Sequence, residues 1–222
     1  MAIGERKLME DETPAQKAAR LGCATLVDAM NRVHGHRAHI PAMSSPDPLR
    51  YLFGPAATIS YLPYREDLVA EGHDFRYYFY GALGNPLGAG QVLVLSSGGH
   101  ADVSHGGGTK LARADSTGLA GVLADGRLRD FGQLRGYSFA TWCRGEAVRW
   151  GGDTVMPYAC AVAVEISGVC VSPGDYIYMD SAGGVVMPSA SLRRVLAIAE
   201  DISAEEAEAA KGIRGEQVQP GE

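Results

Sequence analysis

The sequence predicts a single α/β domain, and three observations lead there. Two short apolar runs, Val92–Leu95 and Leu119–Ala124, read as strands covered on both faces. A segment of helical composition, Thr109–Ser116, lies between them, as in a right-handed parallel βαβ unit. The 222 residues contain no internal repeat and no low-complexity linker, so one core is expected over residues 1–222. The ordered part is expected to run from 14 to 211, with flexible ends at 1–13 and 212–222.

The elements follow in order. Thr13-Pro14 is a helix start, and Leu21, Leu26, Val27, Ala29 and Met30 recur at helical spacing up to Arg32. A loop rich in His and Pro fills Val33–Leu49, and Gly54–Leu62 has strand character. Glu66–Leu83 reads as one helix carrying the aromatic patch of Phe75, Tyr77, Tyr78, Phe79 and Tyr80. That patch suits a core or a subunit contact, because only Arg76 interleaves as a cation. From Phe139 the pattern changes to short strands: Val162–Ile166, Val169–Val171, Tyr176–Met179 and Gly184–Met187, with turns at Pro173-Gly174-Asp175 and Ala182-Gly183-Gly184. Ser189–Lys211 closes the chain as an amphipathic helix.

Composition narrows the function. Twenty basic against 26 acidic residues give a net charge of −6, which disfavours a nucleic-acid backbone as partner. Met1–Thr13 holds Glu5, Glu10, Asp11 and Glu12 and no apolar run, so no secretory signal is expected. With no apolar stretch long enough to span a bilayer, a cytoplasmic protein is expected. Cys23, Cys143, Cys160 and Cys170 form no CxxC and no zinc spacing, and read as reduced, mostly buried thiols. Glycine is the outlier: 29 of 222 residues is roughly twice the usual share, which suggests tight turns and close approach of backbone to a ligand.

Three sets of residues have chemical potential. Gly106-Gly107-Gly108-Thr109-Lys110 opens a helix and would present free amides to a phosphate or carboxylate, or else is only a flexible turn. It is no nucleotide P-loop, because Thr109 stands between the last glycine and the lysine. Asp125-Gly126-Arg127-Leu128-Arg129-Asp130 follows a buried strand and should reach the carboxyl edge of the sheet, where open α/β sheets bind ligands. There Asp130 could hold Mg²⁺ and Arg129 neutralise an oxyanion, or the two could form a surface ion pair. His100 and His105 flank the glycine run and titrate near neutrality, while His34-x-His36-x-x-His39 matches no usual zinc site.

These pieces, in this order, resemble a known family. Gly107–Ala112 and Gly118-x-x-Gly121-Val122-x-x-Asp125-Gly126-x-x-Arg129-Asp130 are similar to the signature of the family named after regulator of ribonuclease activity A. That family includes the class II 4-hydroxy-4-methyl-2-oxoglutarate and 4-carboxy-4-hydroxy-2-oxoadipate aldolases. Thr25-x-x-Asp28-Ala29, Gly54-Pro55-Ala56, Gly90-x-Val92-Leu93-Val94, Val171-x-Pro173-Gly174-Asp175 and Val185-Val186-Met187-Pro188 agree in order, over roughly residues 20 to 215.

The resemblance implies a β-α-β sandwich of the swivelling, phosphohistidine-domain-like type, assembled as a homotrimer or hexamer with the site between subunits. It implies Mg²⁺ or Mn²⁺ and a small anionic substrate, a 2-oxo acid cleaved through a pyruvate-type enolate. The implied reactions are retro-aldol cleavage of a 4-hydroxy-2-oxo acid and oxaloacetate decarboxylation. Asp130 would be the metal ligand, Arg129 would stabilise the enolate, and the amides of Gly107, Gly108, Thr109 and Lys110 would hold the carboxylate. Lys110 and His105 complete the candidate catalytic set, Lys110 as a second cation near the substrate.

The sequence also departs from the pattern. Gly108 stands where the aldolases carry an acidic residue, Thr109 and Lys110 replace two leucines, and an insertion occupies Glu71–Asn85. Glu205 or Glu206 is the counterpart of an acid that a neighbouring subunit supplies. Two other readings follow from these departures and from the family: a non-catalytic protein that binds a ribonuclease, and a biosynthetic enzyme reusing the metal site. A methyltransferase is disfavoured, because no glycine-rich strand–loop–helix leads to an acidic strand end.

Overall fold

The structure, a computed structural model, describes residues 12–84 and 88–215. The elements in chain order are α1 (Pro14–Val33), β1 (His39–Pro41), β2 (Leu52–Pro63), a 3₁₀ turn (Glu66–Leu68), α2 (Phe75–Leu83), β3 (Val92–Leu95) and β4 (Ser104–Gly106). Then come α3 (Gly108–Ser116), β5 (Gly121–Ala124), β6 (Arg127–Leu128), α4 (Phe131–Leu134), β7 (Ala140–Cys143), β8 (Val155–Cys160), β9 (Val164–Ile166) and β10 (Val169–Val171). The chain closes with β11 (Tyr176–Asp180), β12 (Gly183–Met187), a 3₁₀ turn (Ser189–Ser191) and α5 (Leu192–Gly215).

A mixed eight-stranded sheet organises the chain, in the order β1-β12-β11-β2-β3-β5-β7, with β8 also paired to β2. The 12-residue strand β2 joins its two halves. Its first residues pair antiparallel with β11, and its middle runs parallel to β3. β3, β5 and β7 continue in parallel, so the expected βαβ unit is present with α3 as its crossover.

Each face of the sheet is covered. Strand residues alternate between faces. Leu93 and Leu95 pack with Phe79 of α2 and Leu111 of α3, while Val92 and Val94 pack with Trp142, Ile166 and Ile177 on the opposite side. That division explains why β3 has no polar position. On the antiparallel half, α1 and α5 lie together over Tyr178, Val185 and Met187. None of the described helices is long and apolar enough to cross a membrane.

Several expectations change. α1 is not one straight helix: Gly22, at φ 78°, breaks it, and the freed Cys23 amide donates to Asp180 Oδ2 at 3.2 Å. The predicted helix over Glu66–Leu83 is split, because Gly72 takes a left-handed φ of 77° and α2 starts only at Phe75, where Asp74 accepts from the Tyr77 amide. Asn85 of that insertion lies outside the described residues. Strands β7 and β8 and helix α4 were absent from the sequence expectation. The final helix starts later, at Leu192, and runs on to Gly215, so residues 212–215 are not a loose end. The expected flexible residues 1–11 and 216–222 lie outside the described residues.

Cys23 and Cys143 are buried free thiols, but Cys170 is exposed. The reason is register: it points outward from a β10 whose neighbours Val169 and Val171 point in. At the N-terminus, Thr13 and Gln16 form a reciprocal capping box, with Thr13 N–H donating to Gln16 Oε1 at 2.9 Å. Thr13→Ala should cost about 1 kcal/mol, read as a lower denaturant midpoint with an unchanged slope.

Candidate active site

The parallel strands β3, β5 and β7 all end at one edge, and the loops that leave that edge build a pocket of about 160 Å³. Ser104 comes from β4, Arg129 and Asp130 from the segment after β6, and Trp150 from the loop after β7. Gly107, Thr109 and Lys110 come from the start of α3. Six of the residues singled out from the sequence (Gly106, Gly107, Thr109, Lys110, Arg129 and Asp130) thus line one concavity.

Local geometry explains their placement. β4 and β6 pair in parallel, and the Arg129 amide donates to the Gly106 carbonyl at 2.9 Å, so the two loops are laced side by side. Asp130 adopts a left-handed conformation, φ 64°, ψ 45°, at the cap of α4. Aspartate is among the few non-glycine residues that adopt this region readily. Its Oδ2 accepts from the Gly108 amide at 3.0 Å. Gly107 makes that approach possible, because a Cβ there would lie 2.7 Å from Asp130 Oδ2 and 3.0 Å from Arg129 Cβ.

The first turn of α3 supplies anion-binding capacity. The Gly108 amide is used by Asp130, and the helix offers no acceptor of its own to Thr109 and Lys110. Lys110 is half-buried, with Nζ 5.4 Å from the Phe75 ring centroid. Burial lowers its pKa, Asp74 pulls it back up, and Arg113 adds to the lowering.

Gly108 itself does not line the pocket. The volume its side chain would need is taken by Gln133, whose amide donates to Tyr137 Oη at 2.7 Å, and that hydroxyl donates to the Gly108 carbonyl at 3.0 Å. Glu205 is engaged elsewhere, accepting from Arg32 at 3.0 Å on the α1–α5 face.

His105 is a correction. It is buried, with Nδ1 2.8 Å from the Val103 carbonyl and Nε2 3.0 Å from the Ser97 carbonyl, so both nitrogens face the backbone instead of the pocket. Its ring lies edge-on to Tyr61 and against Gly126, which makes it a brace for the site loop. Burial lowers its pKa, and the two carbonyls, which favour the charged ring, offset this only in part. The folded state therefore prefers neutral His105. Its stability contribution is complete above the unfolded pKa near 6.5 and is lost as pH falls through the lower folded value. Thermal melts from pH 7 to 5 should show a loss in the native protein that is smaller in His105→Gln.

Ser104 and Trp150 were not identified from the sequence. Trp150 stands next to Gly151-Gly152, and its indole covers the spot where a Gly152 side chain would sit. A large aromatic beside paired glycines was the available signal. Among the described residues, no three His, Cys, Asp or Glu side chains converge as metal ligands, and His34 instead meets Ser191 Oγ at 2.8 Å. A divalent cation at this pocket would be held by one carboxylate, Asp130, with water and substrate oxygens completing its shell. That donor set fits Mg²⁺ or Mn²⁺ and not zinc.

Over 145 residues the chain is 28% identical to Protein DlpA of Legionella pneumophila, covering 65% of this chain and 23% of that protein. Over 112 residues it is 30% identical to a Halalkalibacterium halodurans protein named "Putative 4-hydroxy-4-methyl-2-oxoglutarate aldolase", covering 48% of this chain and 50% of that one. The chain thus spans half or less of the length of these two relatives. Among solved structures it is similar to Streptomyces coelicolor RraAS2, described as an unusual member of the RNase ES inhibitor RraA protein family. The TM-score is 0.74 at 24% identity, covering 93% of this chain and 98% of that one. An uncharacterized Pseudomonas syringae pv. tomato protein gives a TM-score of 0.76 at 23% identity, covering 92% and 90%. The model of the RraA-like family, described as Aldolase/RraA, matches residues 23–186, well over half of the chain, and the chain belongs to that family.

Proposed function

We propose that the protein is a divalent-metal-dependent carbon–carbon lyase that acts on a 2-oxo acid through a pyruvate-type enolate. The observation that carries this reading is the convergence of Arg129, Asp130, Lys110 and the first-turn amides of α3 on one pocket. The names of the curated relatives support the same reaction class.

Each group has a distinct task. The amides of Thr109 and Lys110 hold the substrate carboxylate. The Arg129 guanidinium faces the 2-oxo oxygen and stabilises its negative charge as the C3–C4 bond breaks. Asp130 holds the metal, which when bound supplies Lewis-acid polarisation of the 2-oxo group. Lys110, its basicity lowered by burial, accepts the proton of the 4-hydroxyl. The bonding pair of C3–C4 then moves into the enolate, and protonation at C3 releases pyruvate. Decarboxylation of oxaloacetate passes through the same enolate and needs no proton acceptor.

The test is pyruvate release from 4-hydroxy-4-methyl-2-oxoglutarate and from oxaloacetate, with Mg²⁺ and with a chelator. Turnover should vanish with the chelator, return on adding Mg²⁺ or Mn²⁺, and fall sharply in Asp130→Asn. Asparagine keeps an acceptor for the Gly108 amide and tolerates the left-handed backbone, so the fold should survive. Turnover indifferent to chelation would overturn the metal assignment. Absence of both turnover and metal binding would favour a protein-binding regulator.

A further inference from the structure

A second cavity, of about 290 Å³, adjoins the first, and Ser104, Lys110 and Trp150 line both. It lies between β8 and the segment that leads from β2 into α2. Its inner wall is Tyr61, Tyr78, Val155 and Met156, and its outer rim is Leu68 and Val69.

Three of the polar side chains around it, Tyr61, His105 and Asp74, are already engaged. Tyr61 Oη donates to the His105 carbonyl at 3.0 Å and offers the cavity only its ring. Both His105 nitrogens meet main-chain carbonyls. Asp74 accepts from the Tyr77 amide at 3.0 Å as the cap of α2, and the His73 ring is stacked on Tyr77 with centroids 4.0 Å apart. Lys110 stands at the junction, beside the pocket that holds the carboxylate and 2-oxo groups in the reading above. Beyond Lys110 most of the lining is apolar or aromatic, from Tyr61, Leu68, Val69, Tyr78, Val155 and Met156. A second carboxylate on the substrate would meet no guanidinium and no second ammonium among the lining residues, and would share the cavity with the Asp74 carboxylate, whereas a ring or branched alkyl group would be buried on several sides.

We infer that the substrate is a 2-oxo acid carrying an aryl or bulky apolar group at C4, with that group lodged in the second cavity. This inference rests on the enolate-lyase reading. In that pose the carboxylate lies at α3, the 2-oxo group at Arg129, the 4-hydroxyl at Lys110, and the tail runs between Tyr61 and the Leu68–Val69 rim. Cleavage would release pyruvate and an apolar aldehyde or ketone, the chemistry expected after hydration and ring opening of an aromatic compound with a carbon side chain.

The experiment compares 2-oxobutanoate with 2-oxo-4-phenylbutanoate, which differ only by the phenyl ring, for binding in the presence of Mg²⁺. Fluorescence suits the measurement, because Trp150 lines the site and the second tryptophan, Trp142, is buried in the core. The phenyl ligand should bind about 10- to 100-fold more tightly, the gain expected from burying a ring of that size. Leu68→Asp, at a rim position already 43% exposed, should bring the ratio of the two constants towards one. Cleavage of 4-hydroxy-2-oxo-4-phenylbutanoate should exceed that of 4-hydroxy-4-methyl-2-oxoglutarate in kcat/KM by at least about tenfold. Equal binding of the two ligands would overturn the tail site and leave the lyase reading standing. Failure of both to bind would overturn the lyase reading and the inference with it. If Leu68→Asp splits an oligomer while the phenyl preference persists, the cavity is a subunit contact and the inference falls.

Discussion

Arg129→Ala is expected to lower kcat for cleavage and for decarboxylation about 10²- to 10³-fold, the usual effect of removing one preorganised charge from a developing oxyanion. The fold should be spared. What ties Arg129 to the protein is its amide, which donates to Gly106, and an alanine keeps that bond. The loss should appear in kcat more than in KM, because enolate charge develops only along the reaction path. Arg129→Lys should recover only part of the activity, since an ammonium cannot reproduce the guanidinium fork. Steady-state kinetics on oxaloacetate with matched melting curves would decide it. Equal loss of stability and activity would mean that Arg129 is structural.

Gly54→Ala is expected to give a large stability effect without touching the pocket. Gly54 lies in β2, where the strand passes the turn before β3. An added methyl would overlap the Gly90 carbonyl oxygen and lie 3.3 Å from Val92 Cγ2. The carbonyl cannot swing aside: Gly90 sits at φ 83° and its amide donates to the Gly118 carbonyl at 2.9 Å. The central strand must move instead, at about 3 kcal/mol, which for a chain this long lowers Tm by about 6–12 °C. Gly35→Ala is the control, since nothing lies within 4 Å of its added methyl. A Gly54→Ala protein with an unshifted Tm would show that β2 can separate from the turn at no cost.

Both predictions concern residues visible in the sequence, and the contrast between them shows what was legible. Val92–Leu95 was readable as a doubly covered strand because burial on both faces leaves no polar position. Arg129 and Asp130 were readable as edge residues because they follow such a strand. The Glu66–Leu83 segment misled, because its aromatic spacing suits a helix while Gly72 and the Asp74 cap decide where one can start. β7 and β8 escaped notice because Thr141, Pro157 and Tyr158 interrupt their apolar pattern, and pairing with β5 and β2 supplies what local preference does not.

By itself, the sequence determined the α/β class, the βαβ unit, the family resemblance and the glycine–Arg–Asp set. All of these depend on residues close together in the chain, where periodicity and turn chemistry act. Tertiary structure decided the rest. It closed the pocket with Ser104 and Trp150 from separate segments, filled the space at Gly108 with Gln133, turned both nitrogens of His105 onto backbone carbonyls, and opened a mainly apolar cavity beside Lys110. The physical reason is that a side chain's protonation, reach and exposure are set by whatever packs against it in three dimensions, and periodicity along the chain does not reveal those neighbours.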